Sequence, residues 1–529
     1  MRTGHKVRHV GVSYSTVYRG ERKRADVQIS LGVAIILLVA LGTGNLTVAA
    51  QQPFRWTPDE QVPDYLDDTF TPYLLADQNR TVHAFASQWV GDENQQLAIV
   101  YRQWSLDGGW TPPVDILLSP DGDAQVLGAF LDQMGTMHLA FWGGEARGAK
   151  IYYSRAPAAS AGRARAWSAP KLVGEDPAFP PSGALAGDDD GNLIIIYSGS
   201  TAGSGVYAMQ SSDAGDSWSE PESIFLTYDP ELTPFSLHTT MGQAGQLHAV
   251  WNVVTSLGTD ESAHYARLDV ADRQWSEPIV LEERIEAEGF FGPSFPVIVD
   301  TGDKIVVMYN SGNPDTGGPV PAGRPVQRVR VSSDEGRTWR DAVTPFPNHL
   351  GRSGEHALVV DSNHVAHALF MQRIETSISG VPTVIDGPWH SALPGDWWNE
   401  PDNFPTNWSP HDLRAVVSQG NVLLVTWRVD PGVGQYGVWY SYLILDAPEL
   451  PVVPLPTPRP TPTVTPTHTP TPPAPTPTPL HRPASIPQES GPAGVTDSPA
   501  IPLVLGLVPV VLLVVGIIMA QQLRYHRRH

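Results

Sequence analysis

Between about residue 70 and residue 445 the chain alternates short apolar runs with polar turns, and one unit keeps returning. Its first landmark is an apolar strand, a turn rich in Asp, Asn, Gly or Gln, and a second apolar strand. The copies read ADQNRTVHAF from Ala76, LDQMGTMHLAF from Leu131, GDDDGNLIII from Gly187, MGQAGQLHAV from Met241, VDTGDKIVVM from Val299, VDSNHVAHAL from Val360 and VSQGNVLLVTW from Val417. Small polar residues between alternating apolar runs are a hairpin signal, so each copy predicts the junction between the first two strands of a sheet. Third strands then fall at LAIVYRQW, KIYYSRA, GVYAMQSS, SAHYARLD, RVRVSSD, GPWHSAL and GVWYSYLIL. Fourth strands follow six of them, each marked by a tryptophan: Trp110, Trp167, Trp218, Trp275, Trp339 and Trp398 stand 51 to 64 residues apart. That spacing fits one four-stranded propeller blade. The seventh repeat ends without such a strand, but FRWTPDEQVP, from Phe54 to Pro63, has its pattern. The prediction is an all-β, seven-bladed β-propeller over residues 51–446, with the N-terminal strand around Trp56 completing the last blade and closing the ring.

The flanks read differently. Residues 1–50 run from a basic lead through an apolar stretch, Ile29 to Leu41, to small residues at Val48, Ala49 and Ala50, the order of a secretory signal. Residues 447–500 are rich in Pro and Thr, a composition that favours an extended stalk and cannot bury a core. Residues 501–520 carry no charge and are long enough to span a bilayer; the tail at 521–529, with Arg524, Arg527 and Arg528, is expected in the cytoplasm. The expectation is a single-pass membrane protein of a bacterial envelope with its propeller outside the cell and its membrane contact made through the C-terminal helix.

Charge and cysteine count narrow the function classes. The chain holds 34 basic and 55 acidic residues and no cysteine. Seven of the bases lie in the first 50 residues and three in the last six, leaving 24 bases against 53 acids between them. Such a surface repels nucleic acid, and disulfides and thiolate metal sites are excluded.

Two turns carry a sharper motif. SSDAGDSW holds Ser211, Asp213, Gly215 and Trp218; SSDEGRTW holds Ser332, Asp334, Gly336 and Trp339. Side-chain oxygens of Ser and Asp can bond the backbone of a tight turn, Gly supplies positive φ, and Trp packs the turn on its sheet. The pattern resembles the Asp box of the sialidase superfamily and other bacterial-neuraminidase-repeat propellers. In that family the boxes are structural, and ligands bind on the opposite face. The resemblance also implies a test for sialidase chemistry: three arginines gripping a substrate carboxylate, a Tyr–Glu nucleophile pair and an Asp acid/base. The family's first arginine sits in an FRIP-like motif on the opening strand. Here that strand reads TFTPYLLAD and has no arginine, and the sialidase ring has six blades rather than seven. Candidates for a three-arginine cluster are Arg147, Arg284, Arg324, Arg352, Arg373 and Arg428.

Candidate ligand-binding residues are those in the blade-to-blade connections on the face opposite the boxes. They are Asp64, Tyr65, Asp67 and Asp68 before blade 1, His349, Arg352, Glu355 and His356 before blade 6, and His411 and Asp412 before blade 7. Ring closure is expected to make these three connections neighbours. Four histidines, His83, His138, His248 and His367, occupy one place in four blades; equivalent positions on a ring are too far apart to share an ion, so they read as hydrogen-bonded packing residues. Asp121, Asp123 and Asp188 to Asp190 read as turn formers rather than calcium ligands. No cofactor or metal is expected. The first functional expectation is a monomeric glycan-binding or cell-surface recognition module, with a sialidase-type glycosidase and an envelope scaffold as alternatives.

Overall fold

The computed structural model describes residues 56–456, apart from 92–94, 147, 243–244, 286–290, 314–324, 351–353, 379–380, 405–409 and 430–435. The expected signal, the membrane segment, the cytoplasmic tail and the stalk beyond 456 lie outside these residues. No described helix is long and apolar enough to cross a membrane.

Seven antiparallel sheets follow one another along the chain. Their innermost strands are Tyr73–Ala76, Ala124–Leu131, Gly183–Gly187, Leu232–Met241, Ser294–Asp300, Ala357–Val360 and His411–Ser418. The seven polar turns join first to second strands, as expected. Five of them are fixed by an Asp whose Oδ1 accepts backbone N–H groups: Asp77 from Asn79 and Thr81, Asp132 from Thr136, Asp188 from Asp190 and Asn192, Asp300 from Gly302, and Asp361 from Asn363 and Val365. These are Asx turns, the cheapest way to reverse a chain between two apolar strands. In blade 5 the fourth strand shrinks to one bridge, Val329 to Val343.

Ring closure is as the sequence implied. Glu60 pairs with Tyr440 and Gln61 with Trp439 in antiparallel register, so the N-terminal strand is the outer strand of blade 7. Trp56 stacks on Phe404 at 4.4 Å between ring centroids and meets His390 edge-on at 5.5 Å. It thereby joins a buried cluster of Leu369, Met371, Trp427 and Trp439 between blades 6 and 7.

The core is distributed in the same manner around the ring, with a buried cluster at each blade-to-blade interface. Histidines reinforce several of these. His83 Nε2 lies 3.2 Å from Asp77 and its Nδ1 lies 2.6 Å from the Tyr101 hydroxyl; His138 repeats this with Asp132 and Tyr153, and His367 with Asp361 and His390. His248 keeps the tyrosine contact, at 2.7 Å from Tyr265. The Asp boxes of the following blades dock on two of those tyrosines. Trp218 packs edge-on against Tyr153 at 5.2 Å and Trp339 against Tyr265 at 4.8 Å. Inside each box the Ser Oγ accepts the Gly N–H at 2.9 Å, and the Asp Oδ1 accepts the N–H of the residue before Trp. Gly215 and Gly336 have φ of 87° and 76°, and a Cβ at either would collide with the tyrosine hydroxyl. The boxes are blade-to-blade fasteners.

Strands one and three of such a sheet run the same way, so first-to-second hairpins and Asp boxes share a face. The chain leaves across that face. Residues 447–456, the first part of the Pro/Thr-rich region, follow the hairpin tips of successive blades: Leu450 N–H donates to Gln419 O at 2.7 Å and Val453 N–H to Gln78 O at 2.9 Å, Glu449 pairs with Arg80, and Pro456 reaches Gly135.

Candidate functional site

On the ring axis lies a cavity of about 350 Å³ lined by the inner strands of all seven blades. Its mouth is at the start of those strands, on the face opposite the boxes. Three of the inner strands carry a bulge that holds a non-glycine residue at positive φ: Ser236 at 49°, midway along its strand, and Phe295 at 51° and Asp412 at 55°, at the start of theirs. All three line the cavity. Bulges re-aim side chains at the rim of a sheet, and residues held at positive φ concentrate at functional sites.

Blade 7 supplies the charge. Its bulge turns Asp412 and Arg414 into the cavity, and one guanidinium nitrogen, Arg414 Nη2, lies 2.9 Å from Asp412 Oδ1 and 3.3 Å from Glu355 Oε2 of blade 6. The two carboxyls lie close enough to perturb each other's charge. The side chains of Arg414, Glu355 and Asp412 keep 42%, 29% and 21% of their exposure, which opens onto the cavity rather than onto the outer surface. Burial, then the Asp412 charge, push Glu355 well above the carboxylate range. Burial opposes ionisation of Asp412 as well, but the Arg414 guanidinium beside it, with its polar neighbours, wins and holds it below its ordinary value. The arrangement sets a carboxyl that resists ionisation and one that ionises readily on the same guanidinium nitrogen.

Around this group stand Thr71 and Tyr73 of blade 1, His356 of blade 6 and His238 of blade 4. His356 is buried, its Nε2 3.2 Å from Met308 O and its Nδ1 3.3 Å from Gly354 O. His238 Nδ1 accepts the Ile298 N–H at 3.4 Å. Burial lowers both imidazoles to about 4. Burial raises the Tyr73 phenol against the opposing pull of the Ala129 backbone and Arg414. Phe70, Phe235 and Phe295 complete the lining, the latter two edge-on at 6.5 Å.

Of the ten candidates read from the sequence, the fold brings Glu355, His356 and Asp412 to the cavity. His411 sits beside Asp412 at the bulge. Arg352 lies outside the described residues. The expectation that all three connections meet is corrected for the approach to blade 1. Asp64, Tyr65, Asp67 and Asp68 do not line the cavity, because Tyr65 turns outward into the seam with blade 7 and takes the Arg102 guanidinium over its ring at 4.7 Å. His349 is likewise drawn away, buried against Phe346, Phe370 and Trp389. Arg414, Tyr73, Thr71 and His238 were missed. A signal existed: the inner strands HDLR and FSLH align through their bulges, which sets Arg414 and His238 at equivalent positions.

The three-arginine arrangement is not formed by the candidates that can be followed. Arg284 is clamped by Glu261 at 3.0 and 2.7 Å, and Arg428 lies over the Phe70 ring at 5.1 Å. Arg147, Arg324 and Arg352, and the side chain of Arg373, lie outside the described residues.

No family model matches the chain, and no curated protein matches it. Among solved structures it is similar to a PL25 ulvan lyase bound to -[GlcA(1-4)Rha3S]-, at 12% identity and a TM-score of 0.46, covering 74% of this chain and 96% of that one. It is similar to the Penicillium chrysogenum α-L-arabinanase complexed with arabinobiose, at 13% identity and 0.39, covering 74% and 99%. The Trypanosoma rangeli sialidase in complex with the inhibitor DANA matches at 13% identity and 0.37, covering 71% and 54%. The assignment of the fold rests on the seven sheets themselves.

Proposed function

We propose that this propeller is a glycan-binding module whose site is the mouth of the axial cavity. The observation that carries the reading is Arg414 Nη2 placed between Glu355 and Asp412 in an open cavity whose lining also holds hydroxyls, imidazoles and aromatic rings among aliphatic side chains. Sugars present alternating hydroxyls and apolar C–H faces. Charged and neutral oxygen groups answer the first, and the rings of Phe70, Phe235 and Phe295 answer the second. The signal and the apolar segment 501–520 belong to the same proposal, which puts the ring outside the cell on a membrane anchor.

Hydrolysis is the second reading, favoured by one protonated and one ionised carboxyl at the same site. The geometry weighs against it. Carboxyls that flank a scissile glycosidic bond hold the sugar between them, whereas a guanidinium nitrogen, Arg414 Nη2, stands between these two.

The test is a glycan array probed with the purified chain, together with a panel of chromogenic glycosides. The expected result is retention of a defined glycan set, weakened at least about tenfold, or roughly 1.4 kcal/mol, by Arg414→Gln. Turnover of any glycoside, abolished by Glu355→Gln, would install the hydrolase reading. Neither retention nor turnover would refute both.

A further inference from the structure

The cavity's charge count says which glycans fit. Resting on the glycan-binding reading above, we infer that the site takes uncharged sugars and turns away carboxylated or sulfated ones. Glu355 and Asp412 both lie within reach of the same guanidinium nitrogen and repel each other's charge; Glu355 is held well above the carboxylate range and Asp412 below it, so the pair counts as one negative charge. Arg414 carries one positive charge, and a single nitrogen of its fork is spent on both of them, at 2.9 and 3.3 Å. The other titratable groups of the described lining are Tyr73, His238 and His356, all held neutral at neutral pH. The described lining therefore sums to zero, with its one cation shared between two carboxyls.

An anionic sugar needs a free guanidinium fork or ammonium group to replace the water it loses. Here the one guanidinium of the described lining stands between two carboxyls, so an anion taken by its remaining nitrogens would sit beside an ionised Asp412. It would also approach against the long-range field of a chain with net charge −21. A neutral sugar meets no such opposition. A protonated carboxyl both donates and accepts, the Thr71 hydroxyl does the same, and Gln125 offers an amide. Phe235 and Phe295, across the mouth from blade 7, give an apolar wall for a sugar's C–H face.

The experiment compares matched pairs on the purified full chain: neutral oligosaccharides against the same oligosaccharides carrying a uronate or sulfate. The neutral member is expected to bind at least ten times more tightly. In the double variant Glu355→Gln with Asp412→Asn, Arg414 loses both partners while the volumes are kept, and Asn tolerates the positive φ of position 412. There the ratio is expected to move at least tenfold toward the charged member. A wild-type preference for the charged member overturns the inference but leaves glycan binding standing, as does a ratio unmoved in a folded double variant. Binding of neither member removes the glycan reading, and this inference with it. The wild-type comparison stands by itself if the double variant does not fold.

Discussion

Histidine is the residue whose environment decides most here. Six imidazoles are driven down by burial: His238, His248, His264, His349 and His356 to about 4, and His390 to about 3, from an ordinary 6.5. The folded ring keeps them neutral, while the unfolded chain protonates them near 6.5. The unfolded state thus binds more protons at mildly acid pH, so stability is complete above about 6.5 and falls as pH drops through 6.5 toward 4, each histidine adding a slope of up to about 1.4 kcal/mol per pH unit. The box aspartates act lower. Hydrogen bonds from Ser217 and Thr338 pull Asp213 and Asp334 down to about 2, and their contribution is lost only below about 4. Urea unfolding midpoints are therefore expected to fall between pH 7 and pH 5, the six histidines outweighing the buried Asp260 and Glu355, whose raised carboxyls take up protons in the folded state and oppose the trend. A flat midpoint across that interval would show that these imidazoles are solvated.

Among the elements, the N-terminal strand has the largest task, since it alone supplies the outer edge of blade 7. Trp56→Ala removes the stack on Phe404 and opens the cluster between blades 6 and 7, with an expected cost of about 3 to 5 kcal/mol in chemical unfolding. Trp397→Ala, at a side chain 85% exposed, is the control and should change little. An unchanged stability in Trp56→Ala would mean that the ring does not depend on this closure. The strand was legible because its Trp lies one repeat before Trp110 and because the last repeat lacked a partner. The inner strands were less legible. Their bulges at Ser236, Phe295 and Asp412 break the alternation of faces, so a reading by period two cannot see that Arg414 points into the axis. Tyr65 was misplaced for a related reason. Its loop looks like the other connections, but a buried cation, Arg102, draws the ring into the seam.

At the scale of the whole molecule, the ring separates two jobs by face. Asp turns, Asp boxes and the departing chain occupy one face, where Gly215 and Gly336 allow each box to press on a tyrosine of the preceding blade. The other face is left open, and there the inner strands of blades 6, 7 and 1 bring two carboxyls and the Arg414 guanidinium together at the cavity. The repeat period made the first face readable, since every blade carries its own copy of the same turn. The second depends on contacts between blades that the order of residues does not display, and only Glu355, His356 and Asp412 were foreseen at the cavity. The most direct measurement is a crystal structure of the chain with the tightest glycan from the array. The sugar is expected at the cavity mouth, within hydrogen-bond distance of Glu355 or Asp412 and in contact with Phe235 or Phe295. A sugar seated instead on the Asp-box face or on the outer rim of a blade would contradict the assignment of the site.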